Sequence, residues 1–519
     1  MDKRIILKTC LTIVVLVSVS ATGTITKGTI IYVEDDATGF NDGTSWENAF
    51  VYLQDALMMA STGDEIRVAQ GIYKPDQFVL SKRANLGRME TFQLINSVSL
   101  KGGYAGLGEP DPDVRDIELY ETILTGDLNG DDAQLVELLD LLYEHTRGEN
   151  SYHVVTGINI DDTTVLDGFN ITAGNANDPE SADPNSNGAG LYNFQSSPTV
   201  INCIFTGNSA RWSGAGMYNI SSSPVVINCT FNKNSSGTSS GGHGGGIYNN
   251  PGSNPILTNC KFSNNWAGQG GGIHAMYSAP IAISCKFINN SANFGGGMQF
   301  KDSIEPMFFG CTFSGNSAHI GAAARFIQSS PILTNCLFTG NSADNNGGAI
   351  AFTNMSTPTL ANCTFASNIA PQGCALSCDH VLYGPSNVYI NNCILWNDGD
   401  QIWNNDNSTI TITFSNVQGL TIDRSGMPKG CTNRKPSFSR EGYWDENGLW
   451  IDGDYHLKSQ AGRWNPDSES WVIDDITSPC IDTGDPNSPI GQEYLPNGGI
   501  INMGAYGGTS EASKSYVGE

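Results

Sequence analysis

Seven times between Pro198 and Asn368 the chain repeats one spacing: a proline, a cysteine five residues on, a phenylalanine two after that and an asparagine three further. The prolines are Pro198, Pro224, Pro255, Pro280, Pro306, Pro331 and Pro358. The cysteines are Cys203, Cys229, Cys260, Cys285, Cys311, Cys336 and Cys363, and the phenylalanines are Phe205, Phe231, Phe262, Phe287, Phe313, Phe338 and Phe365. Asn208, Asn234, Asn265, Asn290, Asn316, Asn341 and Asn368 close the copies. Successive cysteines are 26, 31, 25, 26, 25 and 27 residues apart, and a fixed period of this size means a repeat architecture. A proline in every copy and runs of glycine exclude helical repeats.

Within a copy the pattern alternates as a strand does. In VINCIF, Ile201, Cys203 and Phe205 are expected on one face, with Asn202 and Ile204 on the other. A second strand follows each glycine run, as in GAGMYN and GGGIYN. About 25 residues then make one coil, and coils stack in parallel about 4.8 Å apart. Equivalent residues form ladders, with Cys and Phe inside and Asn at a bend, where stacked amides satisfy one another and the turn backbone. No single copy can bury its apolar face; stacking buries them all in one core. The fold class expected is all-β: a parallel β-helix with a short N-terminal capping helix and a loop-rich C-terminal module.

Parallel neighbours in register hold their Cβ atoms at about 4.8 Å, whereas a disulfide wants about 3.8 Å and a dihedral near 90°. The ladder cysteines are therefore expected as buried thiols, with Cys393 continuing them. Cys431 and Cys480, in the tail, are the candidate disulfide.

The chain divides into an export signal over 1–21, a cap and first coils over 28–150 with an acidic insertion, the coils over 151–420 and a closing module over 421–519. The signal reads from MDKRIILK, the apolar run LTIVVLVSV and small residues near Ser20 and Ala21. Trp46, Phe50, Leu53 and Leu57 have helical spacing and suit a lid over the open end of the solenoid. The net charge of −26 argues against nucleic acid or an anionic membrane as partner. Between Gly188 and Ala370 the chain has three acids and six bases, so the shaft is nearly neutral and the ends are acidic.

These motifs resemble the right-handed parallel β-helix repeats of exported bacterial surface proteins. In particular they resemble polymorphic outer-membrane protein repeats, with GGAI at Gly347–Ile350 and FTGN at Phe338–Asn341. IYVEDDATGFNDGTSWENAFVYLQDAL, from Ile31, is similar to the entry strand and capping helix of such proteins, and the segment from Ser478 to their closing module. The resemblance implies a right-handed coil and a place at the cell surface or outside the cell. No run of alternating strands of the kind an outer-membrane barrel needs follows the coils.

Tyr192, Tyr218, Tyr248, His274 and Gln299 share one position in five successive coils, expected to face outward. Such a column suits stacking on sugar rings, or else a Tyr ladder that stabilises the sheet. Asp127, Asn129 and Asp131 have the alternate spacing of a calcium loop, although Asp132 and Leu138 stand where that loop has Gly and Glu. Asp445, Asn447, Asp452 and Asp454 offer a similar set; no other cofactor is implied. His243, His274 and His319 occupy different points of their coils and are not expected to form a zinc site. The shaft's few acids do not recur in pairs at the coil period, as a lyase or glycosidase site would require. The expected function is therefore non-enzymatic recognition of an extracellular glycan or surface protein by a monomer, with no membrane span after signal removal. A carbohydrate-active enzyme on uronic-acid polymers is the alternative.

Overall fold

The computed structural model describes residues 28–80, 86–133, 138–179, 184–237, 241–379, 383–420 and 428–515. The expected export signal lies outside them. The chain forms a right-handed parallel β-helix whose coils contribute to four parallel sheets of thirteen, twelve, seven and eleven strands. In one coil the four strands are Thr199–Ile201, Ile204–Thr206, Ser209–Ala210 and Met217–Ile220.

VINCIF is two strands rather than one. Asn202 breaks it with φ of 52°, a left-handed conformation that Asn tolerates better than most residues. This turn shifts the alternation: Val200, not Ile201, points inward, while Cys203 and Phe205 are fully buried and Ile204 is exposed. The coil turns similarly at Gly207, Gly214 and Ser221, with φ of 62°, 63° and 50°. In a later coil Ser284, Asn289, Gly295 and Asp302 take the same four corners. Each coil is thus short strands joined by left-handed residues, which accounts for the richness in Asn and Gly.

The Phe ladder runs in register from Phe205 through Phe231, Phe262, Phe287, Phe313 and Phe338 to Phe365. Neighbouring rings lie 4.6–4.9 Å apart with planes within 6° of parallel. Beside them Cys203 to Cys393 stand as free, buried thiols. Each thiol donates to carbonyls, as Cys260 does to Val226 and Thr258 at 3.4 Å. At Cys285 burial, foremost, pushes the thiol well above its ordinary pKa. The Asn ladder is fully buried: Asn234 Nδ2 donates to the Phe205 carbonyl at 2.9 Å and to Asn265 Oδ1 at 3.0 Å, and the pattern continues to Asn397. A serine ladder repeats the device at another corner, with Ser196 N donating to Ser222 Oγ and Ser222 N to Ser253 Oγ.

The capping helix is shorter than its pattern, Leu53–Met59. Phe50, Leu53 and Leu57 join the main core over the first coil. Trp46 instead packs with Tyr32 and Tyr104 in a separate cluster and donates to Asp113 from its indole.

The C-terminal module flanks the shaft as well as following it. Its three antiparallel pairs include Phe438–Arg440 with Asp454–Leu457 and Arg463–Asn465 with Ser470–Val472. Trp450 lies across the corner at Gly340, where a Cβ would stand 2.0 Å from its indole, so glycine there makes room for the ring; at Gly315 a Cβ would meet Asn289 Oδ1 at 2.3 Å and Trp450 Cβ at 3.1 Å. Asp452 Oδ1 accepts from Ser314, Thr339 and the Trp450 indole. Asn335 Nδ2 donates to the carbonyls of Ala505 and Gly507.

Candidate functional site

The fourth strand of each coil begins beyond a left-handed glycine: Gly244, Gly270, Gly295 and Gly321 have φ of 62–65°. The turn sets the residue before each glycine as a flank beside a floor made by the strand that follows. The flank reads Ser213, His243, Gln269, Phe294, Ile320 and Asn346. The floor reads Tyr192, Tyr218, Tyr248, His274, Gln299 and Arg325, then the small Ala351 and Ser377.

The floor is not the outward column expected. Tyr218 and Tyr248 are 9% and 8% exposed and His274 is fully buried; only Tyr192 is half-buried. Their rings stack on one another, at 5.5 Å for Tyr192–Tyr218 and 5.3 Å for Tyr218–Tyr248 and Tyr248–His274. Each inner ring therefore has both faces covered by its neighbours, and a sugar cannot stack there. Strand spacing, which places identical side chains about 4.8 Å apart, causes this. The Tyr column is a stabilising ladder.

The accessible chemistry lies on the flank and at the end of the floor. Half-buried His243 stacks on His274 at 4.9 Å. Burial lowers the pKa of His243; His274 lies well below the ordinary value, first through burial and then through His243 and Lys301, so both rings are neutral hydrogen-bonding groups at pH 7. Gln299 Nε2 donates to Gln269 Oε1 at 2.5 Å and lies 3.5 Å from His274 Nε2. His274 Nδ1, Gln299 Oε1 and Arg325 Nε are buried without a hydrogen-bond partner. The Arg325 guanidinium carbon lies 4.6 Å from the centre of the Phe294 ring.

His243 and His274 do meet, contrary to the expectation from their different positions in the coil; His319 is exposed and touches the edge of Phe294. The flank residue of one coil reaches the floor residue of the next, a pairing visible only once the glycine corner is known.

Of the expected calcium set, the structure brings Asp127 and Asp131 together with Glu149, one oxygen of each lying within 4.8 Å of the others. Asn129, between them, is exposed, and Asp127 folds the turn around itself by accepting from the backbone of Gly130, Asp131 and Asp132. Behind it Arg147 and Asn150 hold Asp132 at 3.0 Å. Burial, then the neighbouring carboxylates, raises the Glu149 pKa. No spacing in the sequence marks Glu149, which lies eighteen residues beyond Asp131. Glu34, Asp35 and Asp36 make a second such triplet. Glu34 is buried and pushed up to about 7, chiefly by that burial, and accepts from the Leu107 backbone.

The four tail residues do not converge. Asp445 caps its own turn at Asn447 and Leu449, Asp452 latches the module to the shaft, and Asp454 binds His456 and Arg463. His456 is buried between Asp454 at 2.6 Å and Glu511 at 3.2 Å. Burial opposes its charge, but hydrogen bonds to both carboxylates outweigh burial and raise its pKa.

Cys431 and Cys480 are not joined in this structure. Cys480 is buried with Phe438, Tyr455 and Met503 and receives a hydrogen bond from Asn416, while Cys431 sits half-buried in a turn. Among the described residues no helix is long and apolar enough to cross a membrane.

The chain matches the right-handed beta helix region family over residues 149–316 and 238–365 and the disaggregatase related family over 444–484. No curated protein matches the chain. Among solved structures it is similar to the pectate lyase Pel9A, at 13% identity over 93% of this chain and 97% of that one, with a TM-score of 0.37. It is similar to a rhamnogalacturonan lyase at 11% identity over 85% and 98%, with a TM-score of 0.37. The alginate lyase AlyGC of family PL6 shares 12% identity over 82% and 56%, with a TM-score of 0.34. The right-handed parallel β-helix is what the chain has in common with the right-handed beta helix region family.

Proposed function

We propose that this is an exported, cell-surface or extracellular β-helix protein that recognises a glycan or surface protein along the glycine corner of its shaft, without chemical turnover. The observation that carries the reading is the composition of that corner. From Ser213 to Ser377 its flank and floor offer imidazole, amide, aromatic and guanidinium groups, and no carboxylate. Neutral hydrogen-bonding groups beside ring edges suit a sugar, and each weak contact gains when many copies sit on one surface. The resemblance to polymorphic outer-membrane protein repeats supports the surface location. The protein acts as a monomer, and calcium, where bound, is held by Asp127, Asp131 and Glu149.

A glycan array with purified protein tests the reading. His243→Ala is expected to weaken retention on the bound glycans by about tenfold, the equivalent of about 1.4 kcal/mol, and to leave the melting temperature nearly unchanged because the side chain is half-exposed. Steady release of unsaturated or reducing ends from pectin or alginate, lost when a carboxylate is removed, would instead establish the enzyme. In the same preparation, added calcium is expected to raise the melting temperature of the parent chain but not of Asp131→Asn; an equal response of the two removes calcium from the account.

A further inference from the structure

The corner has one feature that a neutral ligand does not explain. Arg325 is half-buried at the end of the floor, its guanidinium carbon 4.6 Å from the centre of the Phe294 ring and its Nε buried without a partner. Among the described residues no carboxylate lies within ion-pair distance of it. Asp379 acts on it only at longer range, and burial, which is the larger influence, holds its pKa down to about 10. A desolvated cation without a counter-ion is costly, whereas a fork held by an aromatic ring is arranged for two oxygens of a planar or tetrahedral anion.

Resting on the reading of the corner as a recognition surface, we propose that the ligand is an anionic glycan, with a sugar carboxylate or sulfate paired to Arg325 and the adjoining sugars lying along the Gln299, Gln269 and His243 coils. The register supports the match in length. Arg325, Gln299 and His274 occupy consecutive coils, so the floor advances by about 4.8 Å per coil, close to the length of one sugar residue in a chain. Charge supports it too. The shaft between Gly188 and Ala370 has six bases and three acids in a chain of net charge −26, so its corner is where a polyanion meets least repulsion. Lys301, close enough to His274 to lower its pKa, adds positive charge beside the floor.

Calorimetric titration of the full chain with three probes tests this: an oligogalacturonate, a heparin-derived sulfated tetrasaccharide and a neutral cello-oligosaccharide. At least one anionic probe is expected to bind ten times or more tighter than the neutral one. Arg325→Gln should cancel most of that difference, and Arg325→Lys should restore part of it, since the charge returns without the fork or the stacking. Phe294→Leu provides a second route to the same loss if Arg325→Gln folds poorly. Preference for the carboxylated over the sulfated probe, or the reverse, identifies the anion, and either supports the proposal. Equal binding of neutral and anionic probes, unaffected by Arg325→Gln, overturns the anionic ligand and leaves glycan recognition standing. Binding of none of the three probes, together with an array on which only neutral glycans or proteins are retained, also overturns it. A blank array with no protein partner overturns both readings.

Discussion

Replacing Asn290 by Ala is expected to cost about 3–5 kcal/mol. The side chain is fully buried and serves three neighbours at once. Its Oδ1 accepts from the backbone and side chain of Asn265 at 3.1 and 2.9 Å. Its Nδ2 donates to the Phe262 carbonyl at 2.9 Å and to Asn316 Oδ1 at 3.0 Å. Truncation leaves the Asn265 backbone N–H without its acceptor and takes a donor from Phe262, in a core that water does not reach. An unmade buried hydrogen bond costs about 1–3 kcal/mol, so two lost rungs and a small cavity exceed what one ordinary side chain contributes. Chemical denaturation measures it. A change below about 1 kcal/mol would mean that the amides hydrogen-bond to water and that the corner is open.

Phe287→Ala should be as damaging, by about 3–5 kcal/mol, for a different reason. The ring lies between Phe262 at 4.9 Å and Phe313 at 4.7 Å and is fully buried. Removing it opens a cavity that two rings fixed by strand register cannot collapse to fill. Lys286, one residue earlier, points to solvent, and Lys286→Ala should stay within about 0.5 kcal/mol. Phe287→Leu, which keeps most of the volume, should fall between them. Equal effects of Phe287→Ala and Lys286→Ala in the same denaturation series would reverse the assigned faces.

The inside of the shaft was legible because one spacing, repeated seven times, places identical residues at identical points of the coil. Cys, Phe and Asn each recur without substitution, so periodicity alone assigns them to ladders. The strand break at Asn202 was not legible. It depends on a backbone angle, and an alternating pattern conceals a left-handed corner that shifts it by one residue. That shift put Ile201 on the wrong face and hid the inward role of Val200. The Tyr column failed similarly. Its recurrence was visible, but at strand spacing a recurrent aromatic has its faces covered by the rings above and below it, as Tyr218 and Tyr248 do. Side chains that occur once, such as Arg325, Glu149 and Trp450, have no period to announce them. Trp450 left an indirect trace, in the glycine at 340 where the next coil has Ser367.

The eight ladder cysteines, the seven from Cys203 to Cys363 at the coil period and Cys393, allow the stacked, in-register coil to be tested in one measurement. The protein is treated with an alkylating reagent, first folded and then in denaturant without reductant, and each cysteine is quantified by mass spectrometry. The ladder predicts that all eight are protected while the shaft is folded, since each is 0–1% exposed, and that all eight are modified as single free thiols once it unfolds. Rapid modification of Cys260, Cys285 or Cys311 in the folded protein, or recovery of the eight as linked pairs, would contradict a parallel β-helix with this register.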